Sequence, residues 1–184
     1  MANTVTNVSA GKPKIGGAVF RAASGSTLPT DATTALDAAF KCLGYCSEDG
    51  VVNSNSMSTT DIKAWGGDTV LSIQESKDDT FQFTLLEVLN TDVLGAVYNS
   101  ANVTGALGTG ITVTANNKET DAACWAIDMA LRDGAVKRIS IPNGKISEVG
   151  DITYSDSDAI GYEITITCMP DSSGNTHYEY ILRT

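Results

Sequence analysis

The sequence is poor in the residues on which most enzymes and nucleic-acid binders depend. It has one histidine, His177, in 184 residues. A Ser-His-Asp triad would have to be built on that residue, and no Gly-x-Ser-x-Gly elbow accompanies it. Basic residues number 12 against 22 acidic ones, a formal net charge of −10. Proteins that grip DNA or RNA neutralise phosphates with Lys and Arg. This balance argues against tight binding, although an acidic surface can still repel a passing polyanion. The four cysteines, Cys42, Cys46, Cys124 and Cys168, include no Cys-x-x-Cys pair, which removes zinc knuckles and dithiol redox sites. Cys42 and Cys46 lie on an expected strand at ~13 Å, too far apart to share a metal or a disulfide. Free, buried or half-buried thiols are expected. No apolar run approaches the ~20 residues of a membrane helix. The first residues lack the basic and apolar regions of a Sec signal, so folding in the cytoplasm of the cell that makes the chain is expected.

Other chemical motifs also fall short. Gly11-Lys12 and Gly144-Lys145 lack the preceding glycine and the following hydroxyl of a phosphate loop. Asp78-Asp79 and the Asp151, Asp156, Asp158 cluster lack the glycine and distal Glu of a calcium loop, and read as solvated acidic turns. No catalytic residue, metal site or cofactor is expected.

What the sequence does contain is strands and turns. Residues 1–12 are small, polar and aperiodic, and read as a flexible arm ahead of one domain, 13–184. Strands are expected at Ile15–Ala22, Phe40–Ser47, Thr69–Glu75, Thr80–Val88 and Ile111–Ala115. Further strands are expected at Ala123–Arg132, Ala135–Ile141, Lys145–Thr153, Tyr162–Met169 and His177–Arg183. Period-two alternation is clearest in Phe81-Gln82-Phe83-Thr84-Leu85 and in Tyr162 to Cys168. Turns are expected at Ser76–Asp79, Arg132-Asp133-Gly134, Pro142-Asn143-Gly144 and Asp171–Gly174, and Asn99–Gly110 reads as a Gly-rich loop. Asn90 is placed to cap one short helix through Tyr98, with Val93, Leu94, Val97 and Tyr98 on one face. Residues 48–68, rich in Asn and Ser, read as a protruding hairpin-like loop. The fold class is mainly β, an antiparallel sandwich or barrel-like domain with one short flanking helix.

Several segments, in order, resemble tail-tube (major tail) proteins of siphophages. They are Gly11-Lys-Pro-Lys-Ile-Gly-Gly-Ala-Val-Phe-Arg-Ala22, Leu28 to Tyr45, Glu48-Asp-Gly50, Ile62-Lys-Ala-Trp-Gly-Gly-Asp-Thr69, Thr80 to Glu87 and Asn90 to Tyr98. Glu148-Val-Gly-Asp151 is also similar. The resemblance implies a structural subunit of the virion tail, not an enzyme. Its partners would be itself, in hexameric rings stacked into a tube, and the tape-measure, tail-tip and tail-terminator proteins. DNA would pass through without tight binding, and no membrane would be involved. The resemblance implies stacking through the arm, the 48–68 loop and the C-terminal region. Candidate stacking residues are Val51, Asn53, Asn55, Met57, Ile62 and Trp65. Trp65 equally fits packing on its own domain. Candidate channel-lining carboxylates are Asp128 and Glu163, which alternate with apolar strand residues. An outer face suits both as well. The rival readings are a tube subunit of a contractile tail, tailocin or injection system, and a monomeric surface-binding β-module.

Overall fold

A computed structural model describes residues 3–183; Met1, Ala2 and Thr184, which belong to the expected arm and domain ends, lie outside the described residues. In chain order the strands are β1 (Lys12–Pro13), β2 (Val19–Ala23), β3 (Lys41–Cys42), β4 (Val52–Lys63), β5 (Thr69–Leu85), β6 (Val103–Ala106), β7 (Gly110–Val113), β8 (Ala123–Ala130), β9 (Val136–Val149), β10 (Tyr162–Cys168) and β11 (Tyr178–Leu182). The α-helix among the described residues is α1 (Thr91–Tyr98). Nine strands form one antiparallel sheet, in the order β3-β2-β8-β9-β10-β5-β4, with β1 beside β8 and β11 beside β9. β6 and β7 form a separate small hairpin.

The sheet closes on itself. The segment after β3 leaves β2 and reaches β5, where Cys46 bridges Leu85, Ser47 N–H donates to the Thr84 carbonyl (2.9 Å) and Leu86 N–H donates to the Tyr45 carbonyl (2.9 Å). The single strand expected over Phe40–Ser47 is therefore two short ladders with a bend between them. Gly44 makes the bend at φ 75°, and a Cβ there would lie 1.9 Å from Cδ of Glu87. The Glu87 carboxylate accepts from Tyr45 N–H (3.2 Å), so the bend and its acceptor are built together.

Alternation decides which face is core. Phe81, Phe83 and Leu85 of β5, Ile164 and Ile166 of β10, Ile139 and Ile141 of β9, and Trp125 and Ile127 of β8 all point inward. Ile146 of β9 joins them because a bulge after Ile141 adds one residue to that strand. Val93, Leu94, Ala96 and Val97 of α1 join the same cluster. Asn90 caps α1, accepting from Asp92 N–H (2.9 Å), as its sequence indicates. On the opposite face, Ala22, Cys124 and Ala126 meet Phe40, Leu28 and Leu36 from the 24–40 loop.

Two expected turns and one expected loop are corrected. Pro142-Asn143-Gly144 lies inside the continuous β9. Gly144 is there for close approach, since a Cβ would lie 2.7 Å from Trp125 and the Gly144 carbonyl accepts from the indole N–H (3.0 Å). Ser76–Asp79 is not a turn either; it pairs across with Asn55 to Ser58 in the middle of the long β5. The 99–110 loop contains β6 and the start of the β6–β7 hairpin. Arg132-Asp133-Gly134 does turn between β8 and β9, with Asp133 at φ 56° and Gly134 at φ 75°, the left-handed pair a tight hairpin requires.

Candidate assembly surface

The feature that stands apart from the barrel is the β4–β5 hairpin. Every residue of β4 is exposed, and so are the first ten of β5. At ~3.3 Å per residue, that arm of β5 extends roughly 33 Å. The turn is Ala64–Asp68, closed by Ala64 N–H to the Asp68 carbonyl (2.8 Å) and Gly67 N–H to the Ala64 carbonyl (3.0 Å). Gly66 and Gly67 supply φ of 116° and 99°.

Register sorts the side chains. Ile62 opposes Leu71 and Thr60 opposes Ile73, so Ile62, Leu71 and Ile73 share one face of the outer hairpin. Asn53, Asn55 and Met57 occupy the other face of β4, opposite Phe81, Asp79 and Lys77. Met57 is 65% exposed, and Trp65, at the tip, is fully exposed. Trp65 therefore does not pack on its own domain. Val51 is half-buried against the core and anchors the base of the hairpin rather than its surface. Leu71, Ile73 and Val70 are also exposed; the sequence indicates a strand over Thr69–Glu75 but gives no sign that its apolar side chains face water.

The hairpin is held at its root by a buried carboxylate. Asp79 accepts from Asn53 Nδ2 (2.8 Å), Thr176 Oγ1 (2.6 Å) and His177 Nδ1 (2.5 Å). Burial pushes the Asp79 carboxyl up, but the hydrogen bonds from Thr176, His177 and Asn53 outweigh it and hold the group below the ordinary carboxylate range. The His177 ring also meets Phe81 edge-on, with centroids 5.3 Å apart. Asp79, expected in a solvated acidic turn, is thus a structural clamp between the hairpin and the C-terminal segment.

The two expected channel carboxylates part company. Asp128 is only 3% exposed. Its oxygens accept from Arg138 Nε (2.6 Å) and Nη2 (2.8 Å), and Lys14 Nζ approaches at 3.3 Å. Arg138 Nη1 goes on to the carbonyls of Asp31 (3.1 Å) and Thr34 (2.7 Å). The outward face is covered here by the 24–40 loop, and Asp128 is one half of a buried ion pair. Glu163 is exposed on the opposite stretch of that outward face, beside Thr165 and Thr167 of β10 and Gln82 and Thr84 of β5. Its carboxylate accepts from the Gln82 amide. Among the described residues no cluster of three His, Cys, Asp or Glu side chains could hold a metal.

The family model for phage tail tube protein matches residues 6–184. No curated protein sequence matches. Among solved structures, the tube-terminating cap of the anti-feeding prophage aligns over 100% of both chains, at 8% identity and a TM-score of 0.46; a likeness that distant carries no functional argument.

Proposed function

The chain belongs to the phage tail tube protein family, which is structural and not enzymatic, and from that premise we propose that it assembles into six-fold rings stacked into the tube of a siphophage tail. The observation that carries the stacking is the β4–β5 hairpin. A two-stranded hairpin clear of the core has little stability of its own. This one also exposes Met57, Ile62, Trp65, Val70, Leu71 and Ile73 to water. Exposed apolar surface on that scale marks an interaction site, and the partner is the next subunit along the tube. The polar, uncovered stretch of sheet around Glu163 faces the channel. Its carboxylate and the net charge of −10 keep phosphate from adsorbing while DNA slides past. The tape-measure protein occupies the channel during assembly, and the tail-tip and terminator proteins close the two ends.

The test is to replace residues 58–76 with Asn-Gly, joining Met57 to Lys77, a pair already opposed across the hairpin. The shortened chain should fold, with a single cooperative unfolding transition, and should fail to form tubes. Tubes of normal length from it would remove the hairpin from the stacking contact.

A further inference from the structure

The hairpin tip needs a receptor on the neighbouring subunit, and a cavity at the far end of the barrel fits it. It is a half-open cleft of about 510 Å³, lined by Arg21, Ala39, Lys41, Asp92, Gly95 and Asp121, among other mostly small residues. That volume falls within the roughly 300–1,000 Å³ of sites that enclose a ring-sized ligand. Arg21 lies over the Trp125 ring at 5.7 Å, and its Nε is buried with no hydrogen-bond partner. A buried donor without an acceptor is costly unless something arrives to satisfy it. Asp121 and Asp92 stabilise the Arg21 charge through space, but neither hydrogen-bonds its Nε; Asp121 accepts from Asn99 (3.4 Å), and Asp92 belongs to the first turn of α1.

Position strengthens the match. Ala23, Ala123, Gly144 and Cys168 form one row across the sheet, at the cavity end. Thr80 lies next to that row, through Thr167 and Lys145. From Thr80 the hairpin runs alongside the descent of β9 toward Val136, so its tip lies at the opposite end of the strands, ~35 Å away. A knob at one end and a hole at the other make a head-to-tail contact, the kind that propagates into an open filament rather than closing a dimer.

We propose that Trp65 of one subunit inserts into the Arg21 cavity of the subunit stacked on it, with Asp68 of the same tip supplying the acceptor for Arg21 Nε. This rests on the tube reading and names the receptor for its hairpin. Fully exposed Trp65 then becomes the buried aromatic anchor of the contact, over a floor of small residues.

Two variants test it under conditions where the wild-type chain assembles. Trp65→Ala keeps the cavity and loses the knob. Ala39→Trp, at an exposed position, fills the cavity and keeps the knob. Each alone should stay folded by circular dichroism and need at least about tenfold more protein to form tubes. Rings of each variant, formed separately and then combined in equal numbers, retain one productive interface, Trp65 of the Ala39→Trp ring into the open cavities of the Trp65→Ala ring. The mixture should therefore give two-layer stacks by sedimentation and electron microscopy, but no long tubes. Normal tubes from Ala39→Trp alone would overturn the cavity assignment while leaving the hairpin contact standing. Normal tubes from Trp65→Ala would overturn the anchor itself, and full-length tubes from the mixture would overturn the one-knob, one-hole pairing.

Discussion

Replacing Arg138 with methionine probes how the outward face of the sheet is held. Arg138 is 1% exposed and Asp128 is 3% exposed. The substitution removes both guanidinium bonds to the carboxylate and the bonds to the Asp31 and Thr34 carbonyls. Asp128 would keep only Lys14, whose side chain is 45% exposed. Breaking a buried pair from one side costs about 3–5 kcal/mol, because the surviving charge stays buried. Lys14 relieves part of that, so a loss of about 3–4 kcal/mol is expected. In a chain of this size each kcal/mol moves the midpoint by about 2–4 °C, which gives a fall of roughly 6–16 °C. Urea denaturation of the unassembled subunit measures the loss directly, and limited proteolysis should find the 24–40 loop newly cleavable. Adding Asp128→Asn to Arg138→Met should recover much of the stability, since the stranded charge is gone. A loss below about 1 kcal/mol in the single variant, with the loop still protected, would refute a buried pair that pins it.

Other perturbations have equally definite outcomes. Asp79 titrates below the ordinary carboxylate range, so its contribution is present above the unfolded value of about 3.9 and is lost as pH falls through the lower folded value; hydrogen exchange should show the hairpin root opening first on acidification, and Asp79→Asn should abolish that acid dependence. Gly44→Ala places a Cβ against Glu87 at φ 75° and should cost about 1–3 kcal/mol or more in denaturant, whereas Gly50→Ala, at φ 74° with open space around it, should cost less. Burial pushes the Cys168 thiol up to about 12 and the Cys46 thiol up to about 11, so mass spectrometry after iodoacetamide at pH 8 should find both unmodified in the native chain and alkylated in urea.

Strand content was readable wherever one face is buried, because alternation then has a cause. Phe81-Gln82-Phe83 and Ile164-Thr165-Ile166 alternate for that reason, and both lie in strands. It failed where both faces meet water. Asn53 to Ser58 and Ser76 to Asp79 carry no apolar alternation, so a continuous ladder looked like a loop and a turn. The Asn143-Gly144 hairpin signal misled because the glycine answers to Trp125, a neighbour on another strand that local sequence does not reveal. The protrusion at 48–68 and its Trp65 tip were legible from composition and the following Gly66-Gly67. The receptor side was not, since the cavity draws on β2, α1 and the segments before β6 and β8. Asp128 and Glu163 looked alike in sequence, and only the 24–40 loop, which covers one and not the other, separates them.

The measurement closest to the central claim is negative-stain electron microscopy of the purified full chain at high concentration, alone and with candidate tail-tip and tape-measure proteins. Hollow tubes of stacked six-fold rings, lost when the hairpin is shortened, are predicted. A chain that remains monomeric in both conditions, with the hairpin intact and the subunit folded, would contradict the tube assignment.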